Sequence, residues 1–91
     1  MIRSFRSRAA EEIWLGEVVR KLPIEVQRVA RRKLRMLNNA QSLSDLRVPP
    51  GNRLEALKGD RTGSYSIRIN DQWRICFAWR EGDVYDVEIV D

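Results

Sequence analysis

The spacing of apolar residues changes character across Pro49-Pro50-Gly51, and that change limits the fold more than any other feature of the chain. Before it, Val26, Val29, Ala30, Leu34 and Leu37 recur at the spacing of one helix face. After it, Tyr65, Ile67 and Ile69, then Trp73, Ile75, Phe77 and Trp79, fall on alternate residues, as in strands with one buried face. Helices therefore come first and strands second. With 91 residues in all, neither half can bury a core alone. The expectation is one domain over residues 1–91, an α+β fold with two N-terminal helices packed on one face of a small antiparallel sheet.

Local signals place the boundaries. Arg3 to Phe5 reads as a short opening strand, and Ser7 as the N-cap of a first helix whose buried stripe is Ala10, Ile13 and Trp14. Gly16 weakens or ends it. Pro23 suits the first turn of a longer helix that runs to about Asn38, with Arg28, Arg31, Arg32 and Arg35 opposite the apolar stripe. Asn39 to Asn52 is a connector, because neither a helix nor a central strand accommodates its paired prolines. A hairpin turn is expected near Asn70-Asp71 and a second turn at Glu81-Gly82-Asp83. The last strand, Val84 to Val90, should set Tyr85, Val87 and Ile89 on one face; Asp83, Asp86, Glu88 and Asp91 read as a solvated face in preference to a cation site.

Composition narrows the chemistry. The chain carries a net charge of +4, unevenly spread: ten Lys/Arg against four Asp/Glu in residues 1–38, and none against five in the last eleven. A basic bulk of this kind suits a polyanionic partner. No apolar run approaches the roughly 20 residues that span a bilayer, and no signal peptide is evident, so no membrane association and a cytoplasmic location are expected. There is no histidine, and Cys76 is the one cysteine, read as a small buried thiol. That inventory leaves no Ser-His or Cys-His pair and no zinc site, and neither metal nor cofactor is expected.

Strand parity turns the remaining polar residues into a candidate site. If Trp73, Ile75 and Phe77 face the helices, then Gln72, Arg74, Ser66 and Arg68 face away from them. Glu55 and Lys58, just before the strands, can reach the edge of that open face. One carboxylate among several cations suits a phosphodiester. Glu55 can take the proton of a ribose 2′-hydroxyl, Lys58 and Arg74 can hold the scissile phosphate, Arg68 can position the backbone, and Gln72 can hydrogen-bond base or phosphate. A salt bridge from Glu55 to Lys58 or Arg53 is an equal alternative on spacing alone, and Asp60 and Arg61 read as turn residues pairing with each other.

MIRSF at the start, ARRKLRMLN, RVPPGNRLEALKGDRTG, SIRINDQWRICF and VEIVD together resemble the HigB toxins of bacterial toxin–antitoxin modules, within the RelE/ParE superfamily. The resemblance covers essentially the whole length. It implies a RelE-like, microbial-ribonuclease-like fold and an endoribonuclease that cuts messenger RNA on the ribosome. It also implies a HigA-type helix-turn-helix antitoxin as partner, with operator DNA reached only through that antitoxin. By position it lends catalytic weight to Lys58, Arg68 and Arg74, places Gln72 where relatives can carry another amide, and puts Glu55 where some relatives have histidine. HigB sequences commonly continue after VEIVD with a Tyr-His pair; this sequence ends at Asp91, so reduced cleavage is expected. The ParE branch supplies a different reading, a non-catalytic inhibitor of DNA gyrase, and a basic RNA-binding module is a third.

Overall fold

Ser7 closes the extended N-terminal segment and caps α1 (Arg8–Trp14), its Oγ accepting the Ala10 amide at 3.1 Å. A helix of seven residues is too short to persist on its own, so the cap and the burial of Ala10 and Ile13 carry it. Ser7→Ala should therefore destabilise the protein by about 1 kcal/mol in urea unfolding. Gly16, with φ +89°, then turns the chain back. The computed structural model describes all residues, 1–91.

α2 (Ile24–Asn39) follows Pro23, which sits one residue before the helix proper instead of inside its first turn. Val26, Ala30, Leu34 and Leu37 are buried along it, as their spacing predicts. Two polar residues share that buried side. Gln27 accepts the Val19 amide through Oε1 at 2.9 Å and donates through Nε2 to the carbonyls of Val19 and Leu22 at 2.6 Å, tying the α1–α2 loop to the helix. Lys33 is the other, and it bears on the site.

The sheet has four antiparallel strands in sequence order: β1 (Glu55–Ala56), β2 (Ser64–Arg68), β3 (Arg74–Arg80) and β4 (Asp83–Val90). Ile67 opposes Ile75 and Tyr65 opposes Phe77 on the face packed against the helices. Val84, Val87 and the partly buried Ile89 extend that apolar face across β4. Asn70 shapes the β2–β3 turn, its Oδ1 accepting the amides of Gln72 and Trp73 at 2.8 and 2.7 Å.

Three local expectations are corrected. The opening segment forms no continuous strand; it runs parallel to β4 through separate bridges, Ile2 with Val84 and Phe5 with Val87. A β-bulge causes the interruption, because Cys76 pairs with Glu88 while Ala78 pairs with Tyr85, so β4 has one residue more than β3 across this stretch. Asp86 within it has φ +55°, and Ser4 holds it, Oγ accepting the Asp86 amide at 2.9 Å. The extra residue moves Tyr85 off the face shared by Val87 and Ile89 and onto the open face, under the Arg80 guanidinium at 4.8 Å. Nor are the β4 acids simply solvated. Asp83 pairs with Arg3 and the N-terminal amine, Glu88 with Arg61 and Arg6, and Asp86 with Arg80.

Candidate active site

The register of the sheet assembles the candidate site. Arg68 lies directly opposite Arg74, Ser66 opposite Cys76, and Glu55 opposite Ser66, so Glu55, Ser66, Arg68, Arg74 and Cys76 share the face away from the helices. The strand β1 that delivers Glu55 is only two residues long, too short for any periodicity to reveal.

Arg74 is the best-fixed of these side chains. Its Nε donates to the Oγ of buried Ser66 at 2.9 Å, and its terminal nitrogen donates to Glu55 Oε1 at 2.8 Å and to the Arg53 carbonyl at 3.1 Å. Arg53 is held in the left-handed region, φ +45°, at the end of the Pro50–Asn52 turn. Neither sequence alternative for Glu55 is realised: its ion pair is with Arg74, not with Lys58 or Arg53.

Two opposed arginines would repel, yet each has its own carboxylate. Arg74 takes Glu55, and Arg68 bends toward the hairpin loop to pair with Asp71, an acid not anticipated as part of the constellation. A phosphate entering here competes with exposed carboxylates, which water can resolvate cheaply. Gln72 sits in the hairpin turn, exposed, and its amide donates to Asp91 at 3.2 Å without contacting Arg74. Lys58 immediately precedes the short turn Gly59–Arg61, and its side chain makes no capping hydrogen bond. It lies three residues beyond Glu55, within about 10 Å along the backbone, so its long side chain can reach the Glu55–Arg74 pair. Asp60 and Arg61 do not pair with each other; Arg61 crosses to Glu88 at 2.8 Å.

Beneath the arginines is a buried polar brace. Lys33 Nζ donates to the Arg68 carbonyl at 2.6 Å and to Asn52 Oδ1 at 2.8 Å, and Asn52 Nδ2 in turn donates to the carbonyls of Leu46 and Val48 at 3.2 and 3.4 Å. Burial, with Arg32 and Arg68 nearby, pulls Lys33 below the ordinary lysine pKa. The brace ties α2 and the connector to the end of β2 that carries Arg68. One sequence signal points to it: Lys33 is a cation inside the apolar stripe, three residues after Ala30 and four before Leu37. Cys76 is buried, and that burial pushes its thiol pKa up, against the pull of Arg61. It is no nucleophile in this state.

A short two-helix layer on a four-stranded antiparallel sheet with a basic open face defines the class of RelE-like toxins. The fold is similar to that of a mutant form of YafQ from E. coli, with a TM-score of 0.65 and 10% identity over 99% of this chain and 90% of that one. It is also similar to the YoeB–YefM complex from Staphylococcus aureus, at 0.59 and 17% over 97% and 95% of the two chains. Residues 3–91 match the family described as HigB-like toxin, the RelE-like toxin of the type II toxin–antitoxin system HigB, and the chain belongs to that family. It is 48% identical to Toxin HigB-1 of Vibrio cholerae over 63 residues, which are 69% of this chain and 66% of that toxin. It is 32% identical to Endoribonuclease HigB of Proteus vulgaris over 100% of this chain and 98% of that protein.

Proposed function

We propose that this toxin cleaves messenger RNA on the ribosome, with Glu55, Lys58, Arg68, Gln72 and Arg74 as the working residues. The observation that carries the reading is the fixed Arg74 guanidinium within 2.8 Å of the Glu55 carboxylate. A base and a cation side by side are what transfer to phosphorus requires. Glu55 accepts the proton of the 2′-hydroxyl, and the 2′-oxygen attacks the adjacent phosphorus. The bond from phosphorus to the 5′-oxygen breaks, leaving a 2′,3′-cyclic phosphate and a 5′-hydroxyl. Arg74 and Lys58 offset the charge that builds on the non-bridging oxygens, while Arg68 and Gln72 position the strand on either side.

The openness of the site supports dependence on the ribosome. Glu55 is 62% exposed and Arg74 30%, so the chain by itself does not exclude water from the reacting groups. A second macromolecule closing over the face would lower the local dielectric and strengthen each of these contacts. Action on ribosomes implies a cytoplasmic location, and a HigA-type antitoxin is the proposed partner, with operator DNA bound through that antitoxin.

The test is cleavage of a message programmed on ribosomes against the same RNA free in solution, with Glu55→Gln beside the native protein. Ribosome-bound RNA should be cut much faster than free RNA, with cyclic phosphate at the new 3′ ends. Glu55→Gln keeps the hydrogen bond to Arg74 but cannot accept a proton, and should slow cleavage about 10²-fold. Equal cleavage of free RNA would remove the ribosome from the account. Inhibited supercoiling with intact message would replace it with the gyrase reading.

A further inference from the structure

The most voluminous concavity of the molecule, about 730 Å³, lies on the open sheet face but not at the proposed catalytic residues, none of which lines it. It is lined by Gly63, Ser64 and Ala78, by Arg6, Arg61 and Arg80, and by three acids, Asp60, Asp86 and Glu88, so its formal charges balance until an anion displaces the acids. Resting on the nuclease reading above, we propose that this groove binds the message strand beyond the scissile linkage, a second subsite for RNA phosphate and base.

The register fixes how the two regions relate. Ser64 opposes Ala78 four residues along the same strands from the Arg68–Arg74 pair, about 13 Å at the usual strand rise. Between them Ser66 opposes Cys76, both buried, and Arg74 covers Ser66, its Nε donating to the hydroxyl at 2.9 Å. A single strand following the sheet passes the Arg74 guanidinium, which offers it a phosphate contact, and at the groove it reaches Gly63, Ser64 and Ala78.

The arginines are pre-positioned, and the acids near them are the means. Glu88, only 17% exposed, sits between Arg61 at 2.8 Å and Arg6 at 3.8 Å, one carboxylate holding two guanidiniums. That trio has one positive charge in excess, which Asp60, also lining the groove, offsets without pairing to either arginine. Each guanidinium carries five N–H donors and spends few of them on Glu88, which leaves donors for phosphate oxygens. Arg80 is held by Asp86 at 3.5 Å and lies over Tyr85, 4.8 Å from the ring centroid, where its planar face offers a stacking surface for a base. The bulge at Asp86 is what brings Tyr85 to this face, and re-aiming a side chain beside a reactive site is a frequent use of a bulge. The acidic last strand of a basic protein thereby acquires a role: it orients the arginines of the groove.

The experiment uses Arg6→Ala combined with Arg80→Ala, two exposed residues outside the proposed catalytic set, and 2′-O-methyl RNA, which cannot be cleaved. Binding to a trinucleotide, a hexanucleotide and message-free ribosomes is measured at several salt concentrations. The expected result is a hexanucleotide affinity lowered about tenfold, with its salt slope reduced by about 0.7 for each phosphate no longer neutralised, and an unchanged trinucleotide affinity. Equal losses for both lengths, or no loss for either, would overturn the subsite. A loss confined to message-free ribosomes would give the groove to ribosomal RNA and overturn its assignment to the message. Because cleavage is not the readout, a native protein that failed to cut RNA would sink the nuclease reading while leaving this binding result standing.

Discussion

Arg74→Ala is expected to lower the rate of message cleavage about 10³-fold, the largest effect of any single substitution on the open face. A preorganised donor aimed at developing charge is worth about 10²–10³ in rate, and Arg74 combines such donors with a full positive charge. Its cost to folding should be much smaller. The Glu55 carboxylate it leaves behind is exposed and can be resolvated, and the Ser66 hydroxyl loses one partner, together about 1–2 kcal/mol. Single-turnover cleavage on ribosomes beside thermal unfolding separates the two effects. Arg74→Lys restores the charge but not the fork that spans Ser66, Arg53 and Glu55, and should recover only part of the rate. A fall of less than about threefold in Arg74→Ala would place the phosphate elsewhere.

Much of the frame that holds Arg74 can be read from residue order alone. The helical stripe of α2, the Ser7 cap and the β2–β3 hairpin are local properties, each written within a few consecutive residues, and the structure keeps them. The same parity argument that separates Ile75 and Phe77 from Arg74 finds the open face. What stayed hidden depends on contacts between distant segments. Glu55 meets Arg74 because a two-residue strand pairs at one particular register, and nothing inside Glu55-Ala56 announces that. Arg61 is 27 residues from Glu88, and only the finished sheet brings them together in place of the nearer Asp60. The bulge did leave a trace: Val84 and Val87 are three apart, a spacing that no regular strand can bury on one face, so one extra residue had to be absorbed between them.

Lys33 shows how the hidden contacts couple the site to stability. Lys33→Met preserves length and apolar stem but strands two buried acceptors, the Arg68 carbonyl and Asn52 Oδ1, and should cost about 3 kcal/mol in urea unfolding near neutral pH. Burial, Arg32 and Arg68 oppose the charge of Lys33 and lower its pKa, and no carboxylate pairs with it. The sign of the pH dependence follows. A lysine with a folded pKa below its unfolded value binds fewer protons folded than unfolded throughout the interval between them, so its contribution to stability rises with pH there. It is fully present above 10.5 and lost as pH falls through the folded pKa. The stability gap between the native protein and Lys33→Met should widen as pH climbs toward that value. Cys76, whose raised pKa acts in the opposite sense, is common to both proteins and cancels in the comparison. A gap that narrows with rising pH would mean that the ammonium itself holds the brace, and with it the end of β2 that presents Arg68.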